Sequence, residues 1–193
     1  MEAKAREWTK AQWVAVYTNP RAEKRVAEEL TIHGFENYLP LKRELRQWSD
    51  RKKWVETPLF TSYVFVRITC TQEVPLRQVP GVSHIVTFGF RSREVAFIPE
   101  SQIEAVRALC QGYENVIVRN AKEMKRGSRV KILAGPLEGK EGILIDDCVD
   151  GNFGVEIEAL CAVVMVRIEK DLLQFISNED SKKKGGIFSK KNL

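Results

Sequence analysis

The sequence predicts an α+β domain with a mainly antiparallel sheet over residues 12–110, followed by a small all-β barrel over residues 124–176. In the first part, segments of alternating polarity are interleaved with stretches of helical period. In the second part, short β-branched segments are separated by glycine-rich turns, which is typical of small barrels. The 193 residues leave room for two domains of this size.

The composition, with 44% apolar and 30% charged residues, is that of a soluble globular protein. No apolar run approaches the roughly 20 residues of a membrane span. Residues 1–11 form a charged leader without the apolar stretch of a signal peptide, so we expect a cytoplasmic protein that makes no membrane contact. The four cysteines have no C-x-x-C spacing, which favours reduced thiols over a zinc site or disulfides.

The charge is unevenly distributed along the chain. Residues 1–110 carry 17 Lys/Arg against 13 Asp/Glu, a net +4, whereas residues 111–181 carry 9 against 13, a net −4. Residues 182–193 carry five lysines and no acid, so we expect a basic disordered tail over residues 177–193. A basic first domain suits a polyanion such as nucleic acid, although this modest excess also fits a solvated surface without a ligand.

A first strand is predicted over residues 12–17 and a helix over residues 20–33. Asn19 is a favourable N-cap, and the proline that follows it fits the first helical position. Arg21 and Arg25 are four residues apart and are expected to project from one side of this helix. Such a like-charged pair costs a little stability, which hints that an anion uses it.

A second strand is predicted over residues 35–45, followed by a hairpin whose basic tip leads into Trp54. Trp48 and Trp54 flank three consecutive cations at residues 51–53. Two interpretations are open: an exposed hairpin with its indoles packed on its base, or indoles that stack on nucleic-acid bases. The short run of cations favours the first interpretation.

The central element is a strand predicted over residues 59–68, where β-branched and aromatic residues dominate. Alternation places Val64, Val66 and Ile68 on one face and Tyr63, Phe65 and Arg67 on the other. The valine face is an ordinary core face. The aromatic face is either covered by its own domain or binds a partner, and the absence of a predicted second layer favours a partner.

The first domain continues with a polar turn and a short helix over residues 74–79. Strands are predicted over residues 82–88 and 95–98, and a helix runs from Pro99 to about residue 110. His84, on the first of these strands, has no acidic or cysteine neighbour at ligand spacing and is interpreted as structural.

Residues 111–123 are predicted to be a linker, with residues 116–118 as a candidate strand. The strands expected in the second domain cover residues 126–133, 143–146, 153–159 and 162–167, and residues 169–176 close the domain. The glycine-rich loop at residues 135–142 lacks the lysine–hydroxyl pair of a phosphate-binding loop and is predicted to be a turn between strands.

The sequence offers no constellation for catalysis. It has only two histidines, and no Ser/His/Asp or Cys/His grouping is visible. The adjacent carboxylates Asp146 and Asp147 lie at a predicted turn. We therefore expect no enzyme activity, no cofactor and no metal.

Several stretches of the first domain together resemble the N-terminal domain of the NusG family of transcription factors: residues 13–17 with the following helix, 58–66 and 79–86. In the second domain, the pattern formed by Gly127, Gly135, Pro136, Leu137, Gly139 and Gly142 resembles a KOW motif. Within the family, the segment from Gly81 to Gly89 is similar to RfaH, and the stretch around Trp48 is similar to UpxY antiterminators. The resemblance thus favours a specialised paralogue over a general NusG.

The resemblance implies that the N-terminal domain binds the clamp helices of RNA polymerase and suppresses pausing. The positions that match the polymerase-binding surface are Tyr17, Phe60, Tyr63, Phe65, Ile85 and Phe88. The positions that match the gate-loop contact are Thr69, Cys70 and Thr71, and those that match contacts to non-template DNA are Arg21, Lys24 and Arg25. RfaH-like members carry a basic pair directly after the first strand, where this chain has Asn19-Pro20.

The resemblance also implies that the KOW domain recruits either Rho or a ribosomal protein of the small subunit. Leu137 stands where family members often have phenylalanine, which weakens the expectation of Rho. The alternating pattern and glycines of residues 153–160 oppose a helix, so we expect a β domain that does not switch fold. The expected protein is a monomeric elongation or antitermination factor serving specific operons; a general NusG-type factor and a ribosome- or RNA-binding KOW protein are the alternatives.

Overall fold

The computed structural model describes residues 8–47, 51–89, 94–123, 128–145 and 152–176. The expected basic tail, most of the expected leader, Trp48 and Gly127 lie outside these residues. No helix among the residues described is long and apolar enough to cross a membrane.

The first half of the chain is an α+β unit, as predicted. Its elements are β1 (Gln12–Thr18), α1 (Glu23–Ile32), β2 (Glu36–Tyr38), β3 (Leu41–Gln47), β4 (Lys52–Pro58), β5 (Tyr63–Ile68), α2 (Glu73–Arg77), β6 (Val82–Ile85), β7 (Phe97–Ile98) and α3 (Glu100–Gly112). The main sheet has the order β2-β5-β1-β6, and β7 pairs with β1. All of its pairings are antiparallel.

Strands β1 and β5 form the centre of this sheet because their β-branched residues alternate in matching register. Val14 lies opposite Val66, and Val16 lies opposite Val64. These valines are fully buried in a core that also contains Val26 and Leu30 of α1. The predicted valine core face is therefore confirmed.

The opposite face of the sheet is also covered, and the expectation that no second layer follows in this domain is wrong. Helix α3 buries Ile103, Val106 and Leu109 in one core with Trp13 and Phe65. These α3 residues are spaced by three, so they form one apolar stripe on the helix. The sequence predicts this helix but does not show on which side of the sheet it packs.

Helix α1 begins three residues later than predicted. Its N-cap is Ala22, and no side chain caps it. Asn19 instead takes part in a turn, in which its carbonyl accepts a hydrogen bond from the N–H of Ala22 at 3.1 Å. Arg21 has φ +65°, a left-handed conformation that a helix cannot include. The helix ends as predicted before Gly34, whose φ is +77°.

Two strand boundaries also differ from the prediction. The strand expected over residues 35–45 is divided into β2 and β3 at Leu39-Pro40. The central strand β5 begins at Tyr63, four residues later than expected, because the preceding residues form a turn in which Ser62 has φ +65°. Among the strands that the structure describes, β3 and β4 pair only with each other, as the predicted hairpin.

The second half of the described chain is an all-β region, which we call the C-terminal sheet. Its strands are β8 (Ile117–Asn120), β9 (Arg129–Ile132), β10 (Glu141–Ile145), β11 (Asn152–Ile157), β12 (Ala162–Arg167) and β13 (Leu173–Phe175), in the order β13-β9-β10-β11-β12-β8. Strand β8 lies within the predicted linker and pairs with β12, so part of that segment belongs to this sheet.

The glycine-rich segment is a tight turn between β9 and β10. Gly135 and Gly139 have φ of +90° and +77°, which favour glycine. Leu137 between them is fully buried. At Gly142, a Cβ atom would lie 2.5 Å from the ring of Phe153, so only glycine fits there without displacement.

The C-terminal sheet packs directly against the first unit. Its buried residues, among them Leu137, Phe153 and Val164, belong to the same apolar core as α3 and Phe65. At the edge of this contact, Lys140 Nζ lies 2.9 Å from Glu104 Oε2 of α3. The two halves of the described chain therefore share one core.

Candidate functional site

Three neighbouring strands bring Tyr17, Tyr63 and His84 together on one face of the main sheet, and we call this group the aromatic surface. Tyr17 lies opposite Tyr63 on β5 and opposite His84 on β6. The rings of Tyr17 and Tyr63 meet edge to face, with centroids 5.3 Å apart. The ring of His84 stacks on Tyr17 at 5.1 Å. Both tyrosines are half-buried and His84 is exposed, so a partner can reach all three.

His84 is the member of this surface that the sequence analysis did not include among the candidate site residues, since a lone histidine gives no motif. Its signal is positional, because alternation on β6 places it on the face opposite Ile85. Ile85 lies opposite Val16 and is 2% exposed, within the core beneath α1. Ile85 therefore does not belong to the aromatic surface, although the sequence analysis included it among the expected polymerase-binding residues.

Phe60 and Phe65 are buried, at 4% and 1% exposed, and Phe65 follows Tyr63 on the same face of β5. Their rings meet edge to face at 5.4 Å, and Phe65 also stacks on Tyr38 at 6.4 Å. Both belong to the core that contains α3 and the C-terminal sheet. In this conformation neither phenylalanine is accessible to a partner.

Phe88 lies in the turn after β6 and is 45% exposed. Its backbone N–H donates to the carbonyl of Glu94 at 3.0 Å, which closes this turn. Among the residues described, no ring contact joins Phe88 to Tyr17 or Tyr63. It is therefore an accessible apolar side chain separate from the stacked rings.

The segment Thr69–Thr71 is held in a defined conformation after β5. A 3-10 turn covers Cys70–Gln72, and the side chain of Gln72 accepts a hydrogen bond from the N–H of Thr69 at 2.9 Å. The hydroxyls of Thr69 and Thr71 lie 3.0 Å apart. Thr71 is exposed, and Thr69 and Cys70 are half-buried, so this turn presents short polar side chains to solvent.

The three expected DNA-binding cations are all exposed at the start of α1. Lys24 and Arg25 lie in the first turn of the helix, whereas Arg21 lies in the turn that precedes it. The sequence predicted that Arg21 and Arg25 form an i,i+4 pair on the helix. They do not, because Arg21 lies before the helix begins. The cations still form one basic group, since they lie within five consecutive residues of an exposed turn and helix start.

A buried carboxylate fixes the backbone between these cations and the aromatic surface. Glu23 is 4% exposed, and its Oε1 accepts a hydrogen bond from the N–H of Ser62 at 2.7 Å. The carbonyl of Ser62 accepts in turn from the N–H of Thr18 at 2.8 Å. These bonds hold Ser62 in its left-handed conformation immediately before Tyr63. Because this contact joins residues 39 positions apart, no local sequence pattern predicts it.

Burial raises the pKa of the Tyr63 hydroxyl, with further contributions from Tyr17 and from the thiol of Cys161 in the C-terminal sheet. Tyr63 is therefore protonated at neutral pH and can donate a hydrogen bond to a partner. Tyr63 also packs against the core that contains the buried residues of the C-terminal sheet. The surface thus combines stacked rings, a hydroxyl donor and nearby cations, an arrangement suited to binding rather than catalysis.

The solved structures that this chain resembles include the following three. Thermotoga maritima NusG, in a structure that addresses its domain interaction, is 20% identical, with 87% of this chain and 98% of that chain covered and a TM-score of 0.45. The MjSpt4:Spt5 complex in conformation B is 20% identical, with 86% and 98% covered and a TM-score of 0.28. The same complex in conformation A is 19% identical, with 86% and 99% covered and a TM-score of 0.27.

Among curated protein sequences, none matches this chain. A family model described as NusG, transcription termination factor, matches residues 11–107. This match covers just over half of the chain and includes β1, β5, β6 and the whole aromatic surface. The protein therefore belongs to the NusG family of transcription factors, whose members are not enzymes.

Proposed function

We propose that this protein is a bacterial transcription elongation or antitermination factor that binds RNA polymerase through its N-terminal unit and promotes processive transcription. The observation that carries this proposal is the aromatic surface of Tyr17, Tyr63 and His84. Accessible aromatic side chains are enriched in protein interfaces, where they supply large contact areas at little entropic cost.

The polymerase element proposed to dock here is the clamp-helix pair. An apolar helix face would pack on the rings of Tyr17 and Tyr63, and Phe88 would extend the contact. The exposed turn at Thr69–Thr71 would touch the gate loop. The cations Arg21, Lys24 and Arg25 would hold the non-template DNA strand beside this contact, since Lys and Arg neutralise phosphates.

Phe60 and Phe65 take part in this contact only if the C-terminal sheet moves, because both are buried in the core that they share with it. We propose that polymerase binds the rings of Tyr17 and Tyr63 first. The two phenylalanines then act as the rigid support of those rings.

We propose a KOW-type recruiting role for the C-terminal sheet, with a ribosomal protein or Rho as its partner. The support is the glycine turn with buried Leu137, and the exposed ring of Phe175, which is 65% accessible on edge strand β13. A specialised role of the RfaH or UpxY type, at specific operons such as those for surface polysaccharides, is proposed from the sequence pattern at residues 81–89. Genome-wide mapping of polymerase-associated sites tests it, and uniform occupancy of transcribed genes would indicate a general factor instead.

The direct test measures binding of bacterial core RNA polymerase to the full chain by biolayer interferometry. Tyr17→Ala and Tyr63→Ala are each expected to weaken binding at least about tenfold, the effect of losing an interface aromatic anchor. Ile32→Ala is the matched control, because Ile32 is an exposed apolar residue, 76% accessible, at the far end of α1. Unchanged binding of both tyrosine variants would overturn the proposal.

A further inference from the structure

The hairpin of β3 and β4 forms a two-stranded sheet of its own. Seven residue pairs join the strands, from Leu41 opposite Pro58 to Gln47 opposite Lys52. At its base, the N–H of Leu59 donates to the carbonyl of Pro40 at 2.8 Å. None of the hairpin residues that the structure describes is buried. Seven residues in a strand extend for about 20 Å, so the hairpin is an arm that stands away from both cores.

One face of this arm carries an exposed apolar pair. Leu45 lies directly opposite Trp54, and the two side chains are 50% and 52% exposed. On the same face by alternation, Lys52 is exposed on one side of this pair, and on the other side Arg43 lies opposite the exposed Glu56. Half of the Trp54 side chain is open to solvent, so its indole can meet a ligand; Trp48, the other indole of the predicted hairpin, lies outside the described residues.

The other face of the arm neutralises part of its own charge. Glu44 binds both Lys42 and Arg46, the latter at 3.4 Å. The hydrogen bond from Lys42 holds the pKa of the Glu44 carboxyl below its usual value. The apolar and aromatic contact area is consequently confined to the face of Leu45 and Trp54.

Positive charge accumulates beyond this pair, towards the tip. Residues 46–53 contain four cations against the single carboxylate of Asp50, a net charge of +3. Arg46, which Glu44 binds at 3.4 Å, lies directly opposite Lys53. An anionic ligand beside Lys52 and Lys53 would neutralise the positive charge that Glu44 does not offset.

We infer that the β3–β4 arm is a second nucleic-acid site, which binds a single strand by stacking a base on Trp54 beside Leu45. The phosphates of the strand pass Lys52, which shares the face of Trp54, and continue around the edge of the two-stranded sheet to Lys53 on the opposite face. A half-exposed indole next to a basic track is the combination by which proteins hold single strands without reading their sequence. A duplex conceals its base faces and cannot use the indole in this way. This site is separate from the cations of α1 and does not depend on the aromatic surface.

The test measures fluorescence anisotropy of a labelled oligothymidine, an oligouridine of equal length and a duplex, each titrated with the full-length protein at several salt concentrations. Trp54→Ala is expected to weaken binding of both single strands about tenfold. Trp54→Phe, which keeps a stacking ring, is expected to retain most of the affinity. Preference for one single strand identifies RNA or DNA as the natural ligand.

A double variant, Lys52→Gln with Lys53→Gln, tests the phosphate contacts. It is expected to lower the slope of log K against log salt by about 1.4, since each phosphate contact on a single strand contributes about 0.7. Two exposed residues in the C-terminal half of the described chain provide controls: Leu133→Ala for the loss of an apolar side chain, 50% exposed, and Lys131→Gln for the charge change. Both controls are expected to bind as the unmodified protein does.

The inference is overturned if Trp54→Ala and the double lysine variant bind single strands unchanged, or if the controls lose as much affinity. It is also overturned if duplex binds as tightly as single strands and is insensitive to Trp54→Ala. If Trp54→Ala weakens binding to polymerase but not to single strands, the arm is a protein contact and the nucleic-acid site is refuted. If Trp54→Ala weakens binding to single strands but not to polymerase, the nucleic-acid site is supported independently of the proposed function.

Discussion

Replacement of Glu23 by alanine is expected to destabilise the N-terminal unit more than any surface change on α1. The carboxylate is buried, and its Oε1 accepts the N–H of Ser62 at 2.7 Å. Alanine leaves this N–H buried without that acceptor. Because Ser62 sits in a left-handed conformation before Tyr63, the turn also loses the bond that holds it.

The magnitude follows from the kind of bond that is lost. A hydrogen bond to a charged group contributes about 1.5–3 kcal/mol, and a buried donor left unsatisfied costs about 1–3 kcal/mol. These two descriptions overlap, so we expect Glu23→Ala to lower the free energy of unfolding by about 2–3 kcal/mol. Glu23→Gln keeps an acceptor oxygen and loses only the charge, so we expect it to lower the free energy of unfolding by about 1 kcal/mol.

Urea unfolding followed by circular dichroism measures both values. Glu28→Ala is the matched control, because Glu28 is exposed on the same helix and should change stability by no more than about 0.5 kcal/mol. The reasoning is refuted if Glu23→Ala falls within the range of this control. It is also refuted if glutamine costs as much as alanine, since the contact would then not depend on an acceptor oxygen.

Three further outcomes are expected. Gly142→Ala places a Cβ atom 2.5 Å from the ring of Phe153 and should cost at least about 1–3 kcal/mol in urea unfolding; a cost near zero would contradict the packing. Gly112→Ala places a Cβ atom 2.6 Å from Pro136 at the contact between α3 and the C-terminal sheet, so amide hydrogen exchange should become faster in that sheet, and unchanged exchange would speak against a shared core. Burial, followed by the nearby thiol of Cys110, raises the pKa of Tyr38 well above its usual value of about 10. The unfolded chain therefore loses this proton first, so the contribution of Tyr38 to stability is complete below about pH 10 and declines as the pH rises further; Tyr38→Phe should show a smaller alkaline decline.

The elements with strong local patterns were predictable from the sequence. Alternating valines fixed the core faces of β1 and β5, and glycines with positive φ marked the end of α1 and the turn before β10. The predicted starts of α1 and β5 were wrong for a local reason. Arg21 and Ser62 adopt left-handed conformations that favour glycine, and neither residue type predicts such a conformation.

The site was predictable in part, because its composition depends on pairing between strands. Tyr17 and Tyr63 follow from alternation along their own strands. The register of β6 against β1 places His84 beside Tyr17 and Ile85 in the core opposite Val16. A single sequence does not specify this register. The burial of Phe65 depends on which side of the sheet α3 and the C-terminal sheet occupy, a tertiary choice that leaves no local pattern.

The central claim is that the aromatic surface contacts RNA polymerase, and site-specific photo-crosslinking tests it most directly. A photo-reactive phenylalanine derivative is placed at Tyr63 in one sample and at the exposed control position Ile32 in another, and each protein is irradiated with transcribing polymerase. We predict crosslinks from position 63 to the clamp helices of the largest subunit and none from position 32. No crosslink from position 63, or equal crosslinking from both positions, would contradict the claim.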